Sequence, residues 1–149
     1  MKKLSLLAVV VLALLAPRFA RAQGTSTGDP CTMYPKQSAT AKITTATTTG
    51  LVPAIAGASI YVCDYQILHP GGTGTMALEY GTKVSTDCDT GATVLRGAFA
   101  YNTSAGTPMI DDYPKGGNLT GLLVPASNEL CALSTGTITQ VVTVSYVQR

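Results

Sequence analysis

The chain holds a single imidazole, His69, in the run His69-Pro70-Gly71-Gly72, and a lone histidine limits what acid–base or nucleophilic chemistry is available. A Ser-His-Asp arrangement is recognised by geometry rather than order, but no G-x-S-x-G elbow accompanies the histidine. Its Pro-Gly-Gly context predicts a solvated, inert turn residue. No P-loop or dinucleotide fingerprint occurs. The carboxylates fall into two groups. Asp111 and Asp112 precede Tyr113-Pro114, and Glu79, Asp87 and Asp89 lie in or near one loop. A glycosidase needs two carboxyls about 5–9.5 Å apart across a cleft, whereas Asp in turns ordinarily bonds its own backbone. The expectation is a protein with no catalytic residues.

Two weaker binding signals remain. Asp87-Cys88-Asp89-Thr90-Gly91 has oxygen-bearing residues at alternate positions and a glycine, like the opening of a calcium loop. Gly91 occupies the third ligand position, and no distal Glu follows at EF-hand spacing. A plain Asp/Gly turn is expected, with calcium on Asp87 and Asp89 as the rival and no other cofactor. Tyr61 and Tyr65 share strand parity, so both would lie on one face. That suits an aromatic platform for a glycan, but it suits a core or a sheet–sheet interface better, and core is expected.

The four cysteines, Cys31, Cys63, Cys88 and Cys131, include no C-x-x-C pair and have no histidine at ligand spacing. An even count in an exported chain reads as two disulfides rather than zinc. Export is read from the first residues. Lys2 and Lys3 precede an apolar run from Leu4 to Ala16 broken only by Ser5, and Ala20 and Ala22 follow as small residues. That is a signal peptide, 1–22, cut after Ala22. About 13 residues at 1.5 Å each span roughly 20 Å, short of the ~30 Å hydrocarbon core, so no membrane span is expected after cleavage. Lys2, Lys3, Arg18 and Arg21 leave with the leader and take the formal charge from +2 to −2. No basic stripe is left for nucleic acid. The expected location is extracellular or periplasmic.

The elements that would position these residues are strands. Residues 23–37 are rich in Gly, Thr and Pro and read as an N-terminal segment tied down at Cys31, ahead of one domain over 38–149. There the pattern alternates. Met76, Leu78 and Tyr80 oppose Ala77 and Glu79. Leu95, Phe99 and Tyr101 oppose Arg96, Ala98 and Ala100. Ile138, Val142, Val144 and Tyr146 oppose Thr139, Thr143 and Ser145. Strands are expected near 41–48, 51–55, 59–68, 74–80, 93–101, 107–110, 119–124, 129–134 and 137–148. Short strands with frequent turns predict an all-β antiparallel sandwich, jelly-roll-like. The 59–68 strand is expected to be central, and the last strand to be an edge.

Three disulfide connectivities are possible. If 59–68 and 74–80 form a hairpin about Gly71-Gly72, the loop carrying Cys88 leaves near Cys63. The preferred pairing is then Cys63–Cys88 with Cys31–Cys131.

Several segments also occur in a familiar order. They are Asp29-Pro30-Cys31, Ile60-Tyr61-Val62-Cys63, Leu78-Glu79-Tyr80-Gly81-Thr82, Thr86-Asp87-Cys88-Asp89-Thr90-Gly91, Asn128-Glu129-Leu130-Cys131 and Val144-Ser145-Tyr146-Val147-Gln148. In these the chain resembles a group of small secreted four-cysteine bacterial β-sandwich proteins. That group is similar in strand rhythm to short β-sandwich proteins associated with phage virions. The resemblance implies an all-β sandwich with a structural or surface role, and it transfers no catalytic residue. The leader and cysteines set this chain apart from the virion pattern, because virions assemble in a reducing cytoplasm. The expected function is a secreted, non-catalytic structural or interaction module that binds itself or a cell or virion surface. The alternative is an extracellular module for a glycan or calcium.

Overall fold

A computed structural model describes residues 28–69, 72–103, 109–112, 122–136 and 139–149. The expected leader and the start of the N-terminal segment lie outside the described residues, as do Pro70, Gly71 and Tyr113. After one helical turn, α1 (Pro30–Met33), the chain is strand: β1 (Gln37–Ile43), β2 (Thr47–Val52), β3 (Ile60–His69), β4 (Gly72–Thr82), β5 (Thr90–Thr103), β6 (Met109–Asp112), β7 (Leu122–Val124), β8 (Glu129–Gly136) and β9 (Gln140–Gln148). Thr, Val and Ile dominate these runs because a side chain branched at Cβ suits a pleated, half-buried surface.

The strands build two antiparallel sheets. One runs β1-β9-β3, with β6 and β7 sharing the far side of β3. The other runs β2-β8-β4-β5. Along β3, β7 covers Ile60–Val62 and β6 covers Gln66–His69. In chain order, β1 and β2, β3 and β4, β5 and β6, and β8 and β9 are each split between the two sheets. That winding is a jelly roll, the expected fold.

The core lies between the sheets. It is filled by the inward rows of Ile60, Val62, Tyr65 and Ile67 from β3, Met76 and Leu78 from β4, Leu130 and Ala132 from β8, and Val142 and Val144 from β9. Phe99 and Leu95 of β5 pack against its side, so the alternation expected for that strand holds.

Three expectations are corrected. First, β3 and β4 do not form a hairpin; they lie in different sheets. Second, β9 is not an edge but sits between β1 and β3. Third, the expected first strand, 41–48, spans a real break. β1 ends at Ile43 and β2 begins at Thr47, while Gly50 is not a break but lies inside β2, where the register with β8 shifts. The Thr-rich run offers β propensity throughout, so the corner leaves no local mark.

The disulfides differ from the preferred pairing as well. They are Cys31–Cys63 and Cys88–Cys131. The physical reason is sheet membership: with β3 and β4 in separate sheets, the loop after β4 leaves from the sheet that β3 does not belong to. Each bridge lies on an outer face. Cys131 alternates with the inward-facing Leu130 and Ala132, and it holds the β4–β5 loop against its sheet. Cys63 holds α1 against the other. Neither bridge crosses the core.

Candidate functional site

Among the described residues, the densest set of polar contacts lies in the 83–89 loop between β4 and β5, which folds back over the outer face of its own sheet. Asp89 organises the loop from within. Its carboxylate accepts N–H bonds from Val84 at 2.9 Å, Ser85 at 2.8 Å and Thr86 at 3.0 Å, and the Ser85 hydroxyl at 2.7 Å. These donors, the Thr86 amide foremost, hold the Asp89 carboxyl far below the usual carboxylate range. Asp87 fastens the loop to a distant strand. It accepts Lys83 Nζ at 2.5 Å and the Gly50 amide at 2.7 Å, and the same two donors, Lys83 first, lower its pKa. Between them Cys88 has a positive φ of 50°, uncommon for a residue with a Cβ. It is held there by the Cys131 bridge and by its own N–H, which donates to the Glu129 carboxylate.

Glu129 is 4 % exposed and Glu79 is 5 % exposed. Both belong to outward rows, since they alternate with the inward Leu130 and Leu78. Glu79 accepts the Thr48 hydroxyl at 3.1 Å. Beside the loop a cleft of about 300 Å³ is lined by Gly50, Leu51, Pro53, Lys83, Asp87 and Glu129.

This arrangement holds chain to chain. Asp87 and Asp89 accept separate N–H donors, and no group of three ligand-type side chains within 4.8 Å among the described residues includes either of them. The closest grouping of ligand-type atoms there is Cys88, Glu129 and Cys131, within 4.8 Å of one another. Both sulfurs are already joined to each other. A general acid needs a raised pKa, and both loop aspartates are shifted the other way. Asp111 and Asp112 are in strand β6, opposite Ile67 and Gln66, rather than in a turn.

His69 is the clearest departure from expectation. It is fully buried at the end of β3, with its ring 4.2 Å from that of Tyr101. It is therefore a core residue and not a solvated one, and burial pushes its pKa below the ordinary 6.5. The reason is a register shift in β3 between Val62 and Asp64. Before it Ile60 and Val62 point inward; after it Tyr65, Ile67 and His69 do. The extra residue at Cys63 reverses strand parity.

The same shift separates the two tyrosines. Tyr65 is buried at 2 % exposure, 6.0 Å ring to ring from Phe99, whereas Tyr61 falls in the outward row. They do not form one platform. Tyr65 is a core residue, as the stronger sequence reading had it.

At the same end as the 83–89 loop, Asp29 caps α1 by accepting the Cys31 amide at 3.0 Å, and Arg149 lies 4.7 Å over the Tyr34 ring. Sequence reasoning passed over Gly50, Lys83 and Glu129. A usable signal existed for Glu129: its spacing in Asn128-Glu129-Leu130-Cys131 places it on the face of Cys131. No helix among the described residues is long and apolar enough to cross a membrane. No protein-family model matches the chain, and no curated protein is detectably similar to it.

Proposed function

We propose that this chain acts outside the cytoplasm as a non-catalytic structural or interaction module that associates with copies of itself or with a surface. Its two disulfides and the secretory leader read from its sequence support the compartment. The observation that carries the interaction reading is strand β5. It runs for 14 residues along a sheet edge, pairs with β4 on one side and, among the described residues, with nothing on the other. Arg96 is its only charged residue. A long edge with few charges offers unpaired N–H and C=O groups to another strand. The polar groups of the 83–89 loop bond to their own chain, which favours a module over an enzyme.

The test uses the oxidised protein from Gln23 onward. Light scattering across a concentration series and co-sedimentation with the producing cells should reveal self-association, surface binding, or both. A protein that remains monomeric at millimolar concentration and stays in the supernatant would sink the reading.

A further inference from the structure

We propose that β5 is a self-complementary edge that pairs antiparallel with β5 of a second copy, in the register that sets Gly97 opposite the second copy's Gly97. The proposal rests on the interaction reading above and specifies its partner and geometry.

The strand offers room. Residues 90–94, 96–98 and 100 are exposed. A Cβ added at Gly97 would meet nothing within 4 Å, so the face of the strand is uncovered there, and among the described residues no strand pairs with its outer edge. Gly97 is also where a second backbone can approach with least obstruction.

Periodicity and charge select the register. Leu95 and Phe99 form the half-buried inward row, while Val94, Arg96, Ala98 and Ala100 face out. Centring on Gly97 opposes Leu95 with Phe99, which extends the inward row across the junction. It also opposes Val94, 53 % exposed, with Ala100, and Arg96 with Ala98. A slip of one residue would set inward rows against outward ones. Centring on Arg96 would oppose two like charges, and centring on Ala98 would leave Phe99 against glycine. Such a contact is isologous, so it closes as a dimer instead of growing. The register shifts between β4 and β5 strengthen the local twist and limit the paired length. The association is therefore dissociable, in the class of small transient interfaces.

Sedimentation velocity on the oxidised protein, from micromolar to millimolar, should give a dimer that grows with concentration and no larger species. Ala98→Lys places a cation opposite Arg96 twice per dimer and should weaken it about fivefold. Ala98→Glu should strengthen it by a similar factor, and the gain should vanish in high salt. Because Ala98 is exposed, both variants should keep the wild-type melting temperature. As an independent check, Gly97→Cys should oxidise to a covalent dimer, while Thr93→Cys, which lies opposite Tyr101 in this register, should not. A strictly monomeric wild type overturns the proposal. So do filaments, or Ala98 variants that shift association equally or not at all. Association that persists unchanged in both Ala98 variants removes the β5 register and leaves the interaction reading standing.

Discussion

Asp87 accepts the Gly50 amide at 2.7 Å across the full width of β8, so a residue of the β4–β5 loop is bonded to β2 on the far side of the sheet. The contact closes the loop over an outward row that would otherwise be wet. It also explains why a glycine stands inside β2. A Cβ at Gly50 would lie 3.0 Å from the Asp87 carboxyl carbon and 3.1 and 3.3 Å from its oxygens.

Gly50→Ala should therefore push the Asp87 carboxylate away and weaken its bond to the strand. The expected loss is about 1 kcal/mol, the scale of one part-exposed hydrogen bond to a charged group. Asp87→Ala should cost a similar amount. The double variant should cost little more than either single change, because both remove the same contact. Urea unfolding of the four proteins measures this, and strictly additive losses would contradict the contact.

The disulfides should be separable from the sandwich. Their sequence separations are 32 and 43 residues, and each closure contributes about 4 kcal/mol in the chain-entropy account. Because both bridges clasp segments to outer faces, replacing one pair by serine should first expose the segment it holds. Hydrogen exchange should rise in 28–36 for the Cys31–Cys63 variant and in 83–89 for the Cys88–Cys131 variant, while β3, β8 and β9 stay protected. Loss of protection in those central strands at the same rate would show that the bridges support the core directly. Non-reducing peptide mapping reads the pairing itself.

The alternation of β4, β5 and β9 carried the fold class into the sequence, because a period of two reports a buried face wherever the strand ends up. Sheet membership was not local. His69-Pro70-Gly71-Gly72 does not tell whether the strands on either side share a sheet, and that one ambiguity reversed the disulfide pairing. The extra residue at Cys63 was equally silent: nothing in Val62-Cys63-Asp64 marks a bulge, yet it moved Tyr61 and Tyr65 to opposite faces and turned His69 into the core. Likewise, no neighbour in sequence tells Gly50 that Asp87 will cover it.

The two tyrosines offer a direct test of that bulge. Tyr65→Ala empties a core position packed against Phe99 and should cost about 3–5 kcal/mol, as for other large aromatic truncations. Tyr61→Ala, on the outward row, should cost roughly 1 kcal/mol or less. Chemical denaturation of both variants decides it. Equal losses would mean that the two rings share a face and that the register shift is misplaced.

Acid should act on the sandwich in two steps with the same sign. His69 has a folded-state pKa below its unfolded value of about 6.5, because its buried ring resists charging. As pH falls through 6.5 the unfolded chain takes up a proton that the folded chain refuses, so stability declines until the folded value is reached. Above about pH 7.5 the histidine has no effect. Asp87 and Asp89 have lowered folded values, so their contribution is present above about pH 4 and is lost as the pH falls further, through those values. Melting temperature should therefore be level from pH 8 to 7, slope down once the pH drops below about 6.5, and fall further below about 4. His69→Phe, which keeps a ring against Tyr101, should flatten the first slope and leave the second. A wild-type profile level from pH 8 to 5, or a His69→Phe profile with the wild-type slope, would mean that the imidazole is not buried uncharged in the folded protein.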